Sequence, residues 1–212
     1  MSTCQDWSLV PPPGRIVAGL AFTMALHAVA GLTPRHAPEP ERVAYDDGGG
    51  STFVLDLGGA SPVLVVDDHD ERDAPMSRKD VTSALGLADL PGHLAQEDRT
   101  FSGAARWDGR SWTPDLGVPG QVVANLVDRP HLLGEAGIVL ADVAEGEADR
   151  AALAVLLDAV SAGAWTLSAV EAALRLTPNE EDEELEAEPD VGAAAETLEL
   201  YRPVLRRASQ EG

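Results

Sequence analysis

The run Ile16–Leu32 constrains this chain more than any other, because its only polar side chains are Thr23 and His27. A helix that is apolar nearly all round belongs either in the centre of a folded core or in a bilayer. A membrane span needs about 20 consecutive apolar residues, and this run is shorter and is interrupted by Gly19, His27 and Gly31. Ala28-Val29-Ala30 imitates an export cleavage site, yet Asp6 and Pro11-Pro12-Pro13 precede the run and Arg15 is its only basic flank. That is not the basic leader of a signal peptide. The expectation is a central core helix in a cytoplasmic protein that makes no membrane contact. Gly19, Thr23 and His27 stand at i, i+4 and i+8 and share one face. His27 is expected to be a core histidine donating to a backbone carbonyl.

After the proline-rich connector 33–42 the hydrophobic period changes from helical to extended. Val43-Ala44-Tyr45, Thr52 to Leu57 and Pro62 to Val66 are short extended runs, separated by Gly48-Gly49-Gly50 and by Gly58-Gly59. Glycine turns between such runs predict an antiparallel meander, with Phe53, Leu55 and Leu57 on one face by the period of two. Residues 100–114 read as a hairpin turning near Asp108-Gly109, and Ile138-Val139-Leu140 as one more strand.

Helical signals dominate the rest. Ser77 and Asp80 have the spacing of an acidic capping box that Gly86 can close. Leu153, Leu156, Leu157 and Val160 form an amphipathic stripe that begins after Asp149. Ser168 and Glu171 suggest a second capping box. Eight of the eleven residues from Glu180 to Asp190 are acidic, which predicts a solvated linker. The fold class expected is α+β: an N-terminal core helix, an antiparallel sheet and a C-terminal helical layer. The organisation expected is a domain over 1–178, an acidic linker over 179–190 and a C-terminal helix or tail over 191–212.

Charge bounds the function. The chain has 36 acidic against 15 basic residues, a formal net charge of −21. Such a field repels nucleic acid and anionic membranes and attracts basic surfaces, so the partner expected is a basic protein. The single cysteine, Cys4, excludes an intramolecular disulfide and a metal site built from cysteines. The five histidines have no metal-ligand spacing, no Gly-x-Ser-x-Gly elbow occurs, and Gly48-Gly49-Gly50 lacks the Lys-Ser/Thr of a phosphate loop. No catalytic residue and no cofactor are assigned.

Two groups of residues are candidates for binding. The acidic burst Asp67, Asp68, His69, Asp70 and Glu71 leaves the end of a strand, where it is expected to splay into solvent and meet the partner. Trp107 and Trp112, with Arg110 between them, either pin a hairpin to the core or anchor an interface, since Trp and Arg are enriched at hot spots.

Three resemblances bear on these groups. Val63-Leu64-Val65-Val66-Asp67-Asp68-His69 resembles the first strand of response-regulator receiver domains, and Asp115-Leu116-Gly117 resembles the segment around their phosphorylated aspartate. That would make Asp67 and Asp68 magnesium ligands and Asp115 the phosphate acceptor. The family also uses a late lysine, and no lysine follows Lys79, so this is the alternative reading. Residues 43–73 resemble the sheet region of the SUKH superfamily of bacterial immunity proteins, through Asp47, Gly48, Gly49, Gly50, Leu55, Asp56, Leu57, Asp68, His69, Asp70 and Glu71. This implies a binding module that neutralises a cognate toxin.

Overall fold

The computed structural model describes residues 6–31, 37–71, 75–90, 99–144, 146–178 and 189–210. Helix α1 (Pro13–Val29) starts on a proline, whose missing N–H costs nothing in a first turn, and runs through the centre of the molecule. Of its residues only Gly14, Arg15, Thr23, His27 and Ala28 are even partly exposed. The meander follows as β1 (Arg42–Asp46), β2 (Thr52–Asp56) and β3 (Val63–Asp67), paired antiparallel.

After a 3-10 turn at His69–Glu71, β4 (Met76–Ser77) leads into α2 (Arg78–Leu85). The Ser77/Asp80 capping box opens α2, and Gly86, left-handed at φ 63°, closes it. Strand β5 (Thr100–Phe101) pairs with β4 in a short ribbon, and the hairpin β6 (Gly103–Trp107) and β7 (Trp112–Gly117) completes the main sheet. That sheet has five strands in the order β1-β2-β3-β6-β7.

The remaining chain is mostly helical: α3 (Gly120–Val127), α4 (Arg129–Ala144), α5 (Arg150–Ser161), α6 (Leu167–Ala173) and α7 (Val191–Gln210). The short strands β8 (Gly146–Ala148) and β9 (Leu176–Pro178) pair between α4 and α7.

The period of two in the meander divides the core. Val43, Phe53, Leu55, Leu57, Leu64 and Val66 face α1 and the other large helices, in the main hydrophobic core. Val54, Val63, Val65 and Ala104 face the other way, onto Val81, Leu85 and Phe101. Strand β3 is therefore buried on both faces, and all its residues are enclosed. Phe53, Leu55 and Leu57 are fully buried on one side, as the alternation predicts.

Two expectations are corrected. Ile138-Val139-Leu140 lies within α4, because the stripe that matters is Leu132, Ala136 and Leu140 at i, i+4 and i+8, all buried, while Ile138 is exposed. Thr166 rather than Ser168 caps α6, its Oγ1 accepting from the Ala169 N–H at 3.2 Å. The C-terminal helix expected within 191–212 is α7, whose Ala194, Leu198, Tyr201, Leu205 and Ala208 form a buried stripe in the main core. Of the linker expected over 179–190, residues 179–188 lie outside the described residues. No helix of the described residues is long and apolar enough to cross a membrane.

Candidate functional site

The chain leaves β3 through Asp68, and this residue organises what surrounds it. Asp68 is 1% exposed. Its Oδ1 accepts from the Ser51 hydroxyl at 3.3 Å and the Asp70 N–H at 3.0 Å. Its Oδ2 accepts from the Gln121 N–H at 2.6 Å and the Val122 N–H at 3.3 Å. The last two are free donors of the first turn of α3, where a carboxylate is favoured both by hydrogen bonding and by the helix dipole. The Asp68 N–H in turn donates to the Ser102 hydroxyl at 3.0 Å. One buried carboxylate thus ties the β1–β2 turn, the β3 exit and the start of α3 together.

These attachments shape a cleft of about 370 Å³. Thr23 and His27 of α1 form one wall, Tyr45 and Asp47 at the end of β1 a second, Gln121 and Asn125 of α3 a third, and His131 and Glu135 of α4 a fourth. Asp70 closes the rim. The pairs Gln121/Asn125 and His131/Glu135 are each at i, i+4, so each helix offers both members on one face. Asp47 is fixed in its turn, since its Oδ1 accepts from the Gly49 and Ser51 N–H groups at 2.7 and 3.0 Å.

The cleft is electronegative. Elsewhere, among the described residues, six arginines meet carboxylates: Arg42–Asp56, Arg78–Asp89, Arg99–Asp67, Arg129–Asp158, Arg202–Glu199 and Arg207–Glu41. Among the described residues no lysine or arginine lines the cleft or pairs with Asp47, Asp70 or Glu135. Burial lowers the pKa of His27 from its ordinary 6.5, and the neighbouring Glu135 opposes this only in part. His27 is therefore neutral at pH 7 and leaves the carboxylates uncompensated. Burial first, then Asp47, Asp46 and Glu135, pushes the Tyr45 phenol up.

The sequence-derived candidates separate. Asp67 and Asp68 do not splay into solvent; both are buried, because Asp67 pairs with Arg99 and Asp68 serves the cap just described. His69 and Asp70 are exposed; Glu71 lies in the 3-10 turn, and its side chain is outside the described residues. Trp107 and Trp112 are 5% and 3% exposed, so neither presents an interface surface. Their rings pack together with centroids 5.4 Å apart, and the Trp112 indole donates to the Pro11 carbonyl at 2.9 Å. Arg110 is exposed at the hairpin tip.

His27 lines the cleft instead of being enclosed in the core, and His131 of α4 lines it too. Asp115 lies in β7, its side chain outside the described residues. Among the described residues no group of three or more His, Cys, Asp or Glu is arranged to hold a metal ion. Both neighbours of β3 are antiparallel to it, unlike the parallel doubly wound sheet of a receiver.

Tyr45, Gln121, Asn125 and Glu135 were not among the candidates. The i, i+4 spacing of Gln121/Asn125 and of His131/Glu135 was the available signal, and it is readable only once 120–144 is taken as helix. No protein-family model matches the chain, and no curated protein and no solved structure is significantly similar to it.

Proposed function

We propose that the chain is a protein-binding module of the immunity-protein kind, working in the cytoplasm and engaging a basic protein partner, such as a cognate toxin, at the mouth of this cleft. The observation behind this reading is the distribution of ion pairs: the molecule neutralises carboxylates around its periphery, while Asp47, Asp70 and Glu135 line one cleft with no lysine or arginine beside them among the described residues. Like charges lining one cleft repel one another, and a cationic partner relieves that repulsion on binding. Because Asp68 fixes the β1–β2 turn and the β3 exit, the backbone that carries Asp47 and Asp70 is already in place, which lowers the ordering entropy that opposes association.

Affinity capture from the native host tests the reading, with the wild type run beside an Asp47→Asn/Asp70→Asn/Glu135→Gln variant. The amide at 47 keeps an oxygen for the Gly49 and Ser51 N–H groups, so the turn persists. The wild type is expected to retain a basic protein that the variant recovers at least about tenfold less well, a loss of about 1.4 kcal/mol. Equal recovery by the two proteins would rule the cleft out as the contact.

A further inference from the structure

We propose that a second cavity, on the face of the main sheet that carries α2, binds a small monocarboxylate with an apolar body. This goes beyond the reading of the chain as a binder of a basic protein and does not depend on it. The strand register builds the site. Arg42, Asp56, Val63 and Arg106 are partners in one row across β1, β2, β3 and β6, so their side chains share a face. Val63, Leu87 and Leu90, at the edge of the smaller core, give the cavity an apolar lining, and Ser61 of the β2–β3 turn stands beside them. The cavity measures about 520 Å³, within the usual range of small-molecule sites.

Charge in this lining is matched on one side only. Each of its four described carboxylates already has an arginine: Glu39 and Asp56 meet Arg42 at 3.6 and 3.2 Å, Glu41 meets Arg207 at 3.2 Å, and Asp89 meets Arg78. Arg106 meets no carboxylate among the described residues. The row explains this, because Arg42 is next to Asp56 while Val63 holds Arg106 two strand spacings away, about 10 Å. Arg106 is half-buried, and its one hydrogen bond runs from Nη2 to the Leu85 carbonyl. Nε is enclosed and beyond a ligand's reach; Nη1 also lacks a partner but is not enclosed, which leaves it as the donor for a ligand. A guanidinium partly removed from water without a counter-ion is a cost that a carboxylate offsets, through a charge-assisted hydrogen bond. Arg42, Arg78, Arg106 and Arg207 equal the four carboxylates in number, so the net charge of −21 is not concentrated here. A phosphate or dicarboxylate would set its second charge against Asp56 or Asp89, which selects a single charge. The apolar lining then takes the rest of the ligand.

The test uses the whole chain, with NMR shifts recorded during titration by octanoate, 1-octanol, octylamine and the peptide acetyl-Gly-Gly-Leu with a free C-terminal carboxylate. Octanoate is expected to saturate at about millimolar concentration, shifting the Arg106 Nε–H and the Gly59 and Ser61 amides, with octanol at least about fivefold weaker and octylamine weaker still. Arg106→Gln should weaken octanoate at least about fivefold and leave octanol unchanged, and Arg106→Lys, which keeps the charge, should weaken octanoate less. Leu87→Asn should weaken octanoate and octanol alike. Equal affinity for octanoate and octanol, or octanoate binding indifferent to Arg106→Gln, overturns the carboxylate assignment. No saturable shift at these residues overturns the site. Saturable binding of the peptide without a response to octanoate would make the cavity a receptor for a chain terminus and overturn the small-molecule source. The comparison of octanoate with octanol and octylamine is made on the wild type, so it decides the question even where a variant fails to fold.

Discussion

Asp68→Ala is expected to lower the free energy of unfolding by roughly 3–5 kcal/mol, the range of breaking a buried, fully partnered polar network. Four donors lose their acceptor at once: the Ser51 hydroxyl and the N–H groups of Asp70, Gln121 and Val122. The cap of α3 alone is worth about 1 kcal/mol, so most of the loss comes from donors left buried. Asp68→Asn should recover little, because its amide turns an N–H₂ toward one of the two donor pairs. Denaturant midpoints at pH 7 measure the effect. A change under about 1 kcal/mol would mean that the carboxylate is not the attachment described.

Gly19→Ala is expected to destabilise by about 3 kcal/mol, at the upper end of the usual cost of overpacking a core. The added Cβ would stand 1.7 Å from the carbonyl oxygen of Leu126, a backbone atom of α3 that no rotamer change can move. Alanine gains about 1 kcal/mol of helix propensity over glycine, but relieving that contact means separating α1 from α3. Gly134→Ala and Gly137→Ala in α4 are the controls. Nothing lies within 4 Å of either new Cβ, so propensity should win there and stability should rise by about 0.5–1 kcal/mol. Thermal or denaturant unfolding of the three variants decides it; an equal gain at Gly19 would refute the close crossing of α1 and α3.

Much of the fold was legible because its strongest elements obey local rules. The all-round apolar helix became α1, the glycine-punctuated alternation became β1, β2 and β3, and the Ser77/Asp80 box opened α2. Where competing patterns overlapped, the longer period won: Ile138-Val139-Leu140 is apolar with two β-branched residues, yet Leu132, Ala136 and Leu140 determine the packing. The cleft was harder to read. Its walls come from residues 23–27, 45–51, 68–70 and 121–135, which only tertiary contacts assemble. The acidic burst adjoins the cleft through Asp68 and Asp70, but charge alone cannot tell a carboxylate turned to solvent from one buried as a cap. Asp70 is the first kind and Asp68 the second.

The central claim is that unpaired carboxylates at the cleft draw in a basic partner, and the association rate of a captured partner, followed across salt concentration, tests it most directly. At physiological ionic strength the Debye length is about 8 Å, so steering by the net charge of −21 weakens and the local arrangement of charge matters more. The wild-type rate is predicted to fall steeply with salt, and Asp70→Asn/Glu135→Gln to reduce the low-salt rate by about tenfold, within the range of electrostatic steering. Neutralising two residues within 180–190 should change that rate by no more than about twofold, a loss of one tenth of the net charge with the cleft untouched. Rates indifferent to salt and to the cleft pair, or lowered equally by the pair within 180–190, would contradict the account.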